Sequence, residues 1–120
     1  MHKFPDIAQL SGLVHKRISQ ICIGEHELIL NFDGDSRLTV FSTFGVSNFG
    51  QEIQWFDSFV SGSNHVMPLL GQSISSLKID ADSNARMQVG FANGSVLHLT
   101  DEFDSYESLL INIDGRIIVV

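Results

Sequence analysis

Leu13-Val14-His15-Lys16-Arg17-Ile18-Ser19-Gln20-Ile21-Cys22-Ile23 lies over Leu69-Leu70-Gly71-Gln72-Ser73-Ile74-Ser75-Ser76-Leu77-Lys78-Ile79, and this correspondence decides the fold. The aliphatic positions coincide, and only Cys22 against Lys78 is mismatched in polarity. After a three-residue difference in the next turn, Leu28-x-Leu30-x-Phe32 falls on Met87-x-Val89-x-Phe91, and Ser36-x-Leu38-x-Val40 on Ser95-x-Leu97-x-Leu99. Three matching segments in the same order, with turns at the same places, point to duplication of a unit of roughly thirty residues, about 13–41 and 69–100.

Each segment ends in a period-two alternation, which turns one row of side chains to a core and the other to water, so each reads as a strand. Asp33-Gly34-Asp35 and Ala92-Asn93-Gly94 join the second and third strands, where Gly and Asn supply the positive φ of short hairpins. In both first strands the apolar spacing changes from three (Ile18 to Ile21, Ile74 to Leu77) to two (Ile21 to Ile23, Leu77 to Ile79). A repeated change of phase predicts a bulge or a late strand start. Leu109-x-Ile111-x-Ile113, Asp114-Gly115 and Arg116 to Val120 read as a terminal hairpin over 109–120.

The sequence thus predicts a mainly β protein of about eight strands. Two three-stranded antiparallel meanders, related by a pseudo-twofold duplication, join a C-terminal hairpin in a small sandwich or partly open barrel. Ile21, Ile23, Leu28, Leu30, Phe32, Leu38 and Val40 should face Leu77, Ile79, Met87, Val89, Phe91, Leu97 and Leu99 across the core. The link from Ser42 to Pro68 is less regular. Ile53, Phe56 and Val60 would share one side of a short helix from Gln51 to Val60, while the aromatic content fits a strand equally. Asp6 to Leu13 reads either as a helical turn or as an extra edge strand.

At 120 residues the chain fits one domain with a core of its own. Its single cysteine excludes an internal disulfide and the paired-cysteine zinc and redox frameworks, which suits a reducing cytoplasm. The start, Met1 to Asp6, has no apolar run of signal-peptide length, and no window approaches the ~20 apolar residues of a membrane span. A soluble, unexported protein is expected. The net charge of −7 is shared by both halves, four basic and seven acidic groups in residues 1–60 against three and seven in 61–120. Without a basic face to displace counterions, nucleic acid and anionic membranes are not expected partners.

Sites of chemistry are few. Gly45 and Gly50 have the spacing of a phosphate loop, but Gln51-Glu52 stands where Lys and Ser or Thr should follow, and a Glu there repels phosphate. No Gly-x-Ser-x-Gly elbow occurs and nothing in spacing marks a Ser-His-Asp triad. Asp80-Ala81-Asp82-Ser83-Asn84 imitates the opening of a calcium loop, but Ala85 replaces the turn Gly and Phe91 the bidentate carboxylate, so it reads as a solvated turn. No two of His2, His15, His26, His65 and His98 have metal-ligand spacing; His26 and His98 read as exposed polar residues, and Cys22 as an inert structural thiol.

Two features carry more. Asp101-Glu102-Phe103-Asp104-Ser105-Tyr106-Glu107 places four carboxylates within seven residues. Asp101, Glu102, Asp104 and Glu107 form either a weak cation site or, with Tyr106, a patch that docks a basic partner; otherwise the stretch is an exposed loop anchored by Phe103 and Tyr106. In the link, Trp55, Phe56 and Phe59 either cover the open end of the sandwich or present an anchor to a partner. No cofactor is implied.

Leu69-Leu70-Gly71-Gln72, Phe91-Ala92-Asn93-Gly94-Ser95, Ser105-Tyr106-Glu107-Ser108 and the Asp114-Gly115 turn resemble an uncharacterised bacterial family of small duplicated β-rich proteins. The resemblance covers the second unit and the terminal hairpin, and implies neither an activity nor a catalytic residue. The leading expectation is a non-enzymatic bacterial domain that binds a protein, a toxin-neutralising immunity protein being one concrete version. The alternative is a small-molecule binder with a cavity between the units or under the aromatic link. An enzyme comes third. The apolar last strand, Arg116 to Val120, would pair with another chain if it is an uncovered edge.

Overall fold

The computed structural model describes residues 7–48, 50–80, 86–100 and 109–120. The chain opens with a helical turn α1 (Ile7–Leu10), continued by a 3-10 turn (Ser11–Leu13). Strands β1 (Ile18–Ile23), β2 (Leu28–Phe32), β3 (Arg37–Val40), β4 (Phe44–Ser47) and β5 (Gln54–Phe56) follow. A second helical turn α2 (Ser63–Val66), continued by a 3-10 turn (Met67–Leu69), leads to β6 (Ile74–Ile79), β7 (Arg86–Phe91), β8 (Val96–Thr100), β9 (Leu109–Ile113) and β10 (Arg116–Val119).

These strands form two five-stranded antiparallel sheets rather than a closed barrel, in the orders β1-β2-β3-β9-β10 (sheet one) and β5-β4-β8-β7-β6 (sheet two). The meanders are those expected, but each is finished by a hairpin from the other half. After β3 the chain crosses to sheet two, where β4 pairs with β8; after β8 it crosses to sheet one, where β9 pairs with β3. The described residues therefore hold ten strands, not eight, because the link contributes β4 and β5.

The segment 51–60 contains a strand and not the alternative helix. Strand geometry sends Phe56 and Trp55 to opposite faces, Phe56 opposite Phe44 and Trp55 opposite Gly45. A helix would have grouped Ile53, Phe56 and Val60 and left β4 as a bare edge. Helical structure lies later, at α2, while residues 7–13 take the helical option of their two.

The change of phase in both first strands is a register irregularity at the same place, between Ile18 and Gln20 and between Ile74 and Ser76. It lets the chain just before each strand reach across to the other half. Ile18 N–H donates to the Gln72 carbonyl and Ile74 N–H to the Lys16 carbonyl, each at 2.9 Å. The bonds are reciprocal, as a twofold relation between the halves requires. Further out, Ser36 Oγ reaches Asp114 across sheet one, and Ser95 Oγ reaches Asn48 across sheet two. The Lys16 ammonium, 3.0 Å from Asp114, ties the last hairpin turn to this crossing and holds that carboxyl below its usual range.

One core lies between the sheets. Leu28, Leu30, Phe32, Leu38, Val40, Met87, Val89, Phe91, Leu97 and Leu99 are buried as the alternation requires. Ile21, Ile23, Leu77 and Ile79 are only partly buried, because β1 and β6 are sheet edges; Ile18 and Ile74, on the other side of each bulge, are the fully buried members. Leu10, Leu13, Val66 and Leu69 from the helical turns complete the core. Among the described residues no helix is long and apolar enough to cross a membrane.

Candidate functional site

The outer faces of the two sheets differ where their strand registers correspond. On sheet two one row crosses all five strands, Trp55, Gly45, His98, Gln88 and Lys78. The matching row on sheet one is Val119, Leu110, Thr39, Ile29 and Cys22. One face carries aromatic and basic groups where the other is almost wholly apolar.

Gly45 makes the sheet-two row possible. A Cβ built there would lie 2.7 Å from Ile53 Cγ2 and 2.9 Å from Trp55 Cε3, so only glycine lets the indole lie flat across β4. Trp55 is 38% exposed. The Arg86 guanidinium lies 5.4 Å from the centre of its ring, within cation–π range. On its inner side the indole covers His98, with ring centres 5.9 Å apart.

That cover changes the reading of His98. Alternation correctly sends it to the outer face, but β5 and Trp55 roof that face, leaving His98 only 8% exposed. Its Nε2 is hydrogen-bonded with the Ser47 hydroxyl at 2.9 Å. Burial, and then the nearby Arg86 charge, hold its pKa below the ordinary imidazole value, so the ring is neutral at pH 7. A short-range pattern had no means of finding this pair, whose members are 51 residues apart.

Two clefts flank the roof. One of about 450 Å³ is lined by Ile53, Lys78, Asp80, Arg86, Gln88 and His98. The other, about 780 Å³, opens between the β4–β5 turn and α2, with Asn48, Gln51, Glu52, Asn64 and His65 in its wall. Ile53 borders both.

The remaining aromatics of the link separate from Trp55. Phe56 packs its ring 5.5 Å from Phe44 and 4.8 Å from His65. Phe59 is buried and stacks on Phe44 at 5.8 Å with an interplanar angle of 2°. Both therefore belong to the core side, and of these three Trp55 alone faces outward. Asp101, Glu102, Asp104, Tyr106 and Glu107 lie outside the described residues, as does most of the turn from Asp80 to Arg86. Among the described residues no three His, Cys, Asp or Glu side chains gather as a metal site.

Protein-family models, curated proteins and solved structures contain no match to this chain. The face is accordingly read from its own chemistry. A flat indole backed by a neutral imidazole and edged by a guanidinium can cover an apolar pocket while pairing with a carboxylate beside it. Neither Arg86 nor Ser47 stood out in the sequence. For Ser47 the signal is the equivalence of β4–β5 with β9–β10, since it lays β4 beside β8 and so brings Ser47 next to the strand of His98.

Proposed function

We propose that this chain is a non-enzymatic protein-binding domain that contacts its partner through the outer face of sheet two, with Trp55 and Arg86 as anchors. The observation that carries this reading is the Trp55 indole held flat on Gly45, with Arg86 stacked beside it. Trp and Arg are the residue types most enriched at binding hot spots, and a side chain already fixed loses little entropy on association. The corresponding row on sheet one carries neither an aromatic nor a basic side chain. We read the two halves as copies of one unit, so that what they share serves the fold and what they do not share serves recognition. The partner that fits offers an apolar pocket with a carboxylate at its rim. A lone, partly buried Cys22 suits a reducing cytoplasm.

The test is site-specific photo-crosslinking in the producing cell from residue 88, on the sheet-two row, and from residue 29, its counterpart on sheet one. A discrete adduct from 88 that disappears with Trp55→Ala supports the reading. Equal adducts from both positions, or an adduct from 88 that survives Trp55→Ala, contradict it.

The second reading is a small-molecule binder, favoured by the 780 Å³ cleft and its polar wall of Asn48, Gln51, Glu52, Asn64 and His65. It calls for a polar solute that raises the melting temperature of wild type but not of Asn64→Ala. Catalysis stands third: Ser47 and His98 are hydrogen-bonded, but both are more than nine-tenths buried, which suits a structural tie better than an attacking hydroxyl.

A further inference from the structure

We infer that β10 is a self-association edge, at which two copies of this chain pair their Arg116–Val119 strands antiparallel about a twofold axis. Among the described residues β10 ends sheet one and pairs only with β9. Arg116 stands opposite Ile113 across the two-residue Asp114-Gly115 loop, and Val120 N–H donates to the Leu109 carbonyl at 3.0 Å. In antiparallel pairing the bonded residues alternate, so Arg116, Ile118 and Val120 turn their backbone groups toward β9. Ile117 and Val119 consequently aim theirs at the open edge. Their side chains lie on the outer face and are 65% and 43% exposed.

A second strand is the occupant this chemistry selects. Among protein partners an extended backbone is what matches a row of outward N–H and C=O groups, and a strand paired with its own copy about a twofold is antiparallel by symmetry. Pairing centred on Ile118 would set Ile117 against Val119 of the partner subunit, so that the exposed apolar side chains of the two edges meet on the outer face.

Charge favours the same place. Two chains of net charge −7 repel each other, but residues 115–120 contain no Asp or Glu. The one charge in the strand, on Arg116, is turned back to its own chain, where Nη2 donates to the Gln9 carbonyl at 2.6 Å. The other three sheet edges are less suited to pairing. β1 and β6 carry register irregularities and polar Ser19, Gln20, Ser75, Ser76 and Lys78, and β5 has three residues.

Sedimentation equilibrium over a wide concentration range tests the inference. A single strand-to-strand contact is smaller than the roughly 1,200 Å² of a stable interface, so the mass should rise with concentration from one chain to two. Ile117→Lys places a charge against Val119 of the partner subunit, and Ile117→Pro removes an outward N–H that the monomer does not use; each should weaken association at least about tenfold without lowering the melting temperature. Gln20→Lys, on the opposite edge, should leave association unchanged. A wild-type protein that keeps the mass of one chain at millimolar concentration, or a dimer that persists in both Ile117 variants, overturns it.

Discussion

His15 and Gly71 occupy equivalent places in the two halves, and both backbones are left-handed, with φ of 75° and 86°. Their N–H groups make matching bonds, His15 to the Ile74 carbonyl at 2.8 Å and Gly71 to the Ile18 carbonyl at 2.9 Å. The same sharp turn is thus built once with glycine and once with a residue that pays a conformational penalty there.

His15→Gly should therefore stabilise the protein. Relief of a left-handed non-glycine residue is worth about 1–2 kcal/mol, partly offset by about 0.5–1 kcal/mol of added backbone freedom in the unfolded chain. Gly71→Ala should destabilise by about 1 kcal/mol, although a Cβ has space there, with Arg17 Nη2 at 3.8 Å the nearest atom. Urea denaturation of the two variants against wild type checks both signs.

Gly45→Ala should lift Trp55 from the sheet. The added methyl overlaps Ile53 and the indole, a conflict of about 1–3 kcal/mol that the exposed ring can relieve by swinging outward. Trp55 is the single tryptophan, so the change reads directly as a red shift of intrinsic fluorescence. The His98 pKa should move back toward the ordinary value as its cover opens.

The buried imidazole gives the stability a dependence on pH. The folded-state pKa of His98 is lowered, so its contribution is complete above the unfolded value of about 6.5 and is lost as pH falls from there through the folded value, since the unfolded chain takes up the proton first. Melting temperatures of wild type and His98→Gln across this window should converge as the pH is lowered. The imidazole resonances of His98 should titrate below the ordinary imidazole value of about 6.5.

Phe44→Ala should be among the most damaging substitutions. Its fully buried ring meets Phe56 and Phe59, and a Cβ at Gly62 would come within 2.5 Å of it. A loss of about 3–5 kcal/mol is expected in chemical denaturation.

The strands β2, β7 and β9 were legible because each has one buried and one outer face, so burial leaves an alternating trace such as Leu28-x-Leu30-x-Phe32; β3 and β8 keep Leu38-x-Val40 and Leu97-x-Leu99, and β10 follows from the Asp114-Gly115 turn. β4 left none: all four residues of Phe44-Gly45-Val46-Ser47 are buried, two against the core and two under the Trp55 roof or beside it. β5 is too short to show a period. Reading the link as irregular and the terminal hairpin as an addition hid their equivalence, since Phe44-x-Val46 pairs with β8 as Leu109-x-Ile111 pairs with β3. Trp55 was visible by residue type, but the burial of His98 depends on a contact between distant strands that no local pattern encodes.

The most direct measurement is the affinity for the protein cross-linked from residue 88, determined for wild type, Trp55→Ala and Ile29→Ala. Trp55→Ala should weaken binding by about thirtyfold or more, the loss of a hot-spot residue, while Ile29→Ala should bind within about twofold of wild type. Equal affinities for all three, or a larger loss from Ile29→Ala, would contradict recognition through the face that carries Trp55.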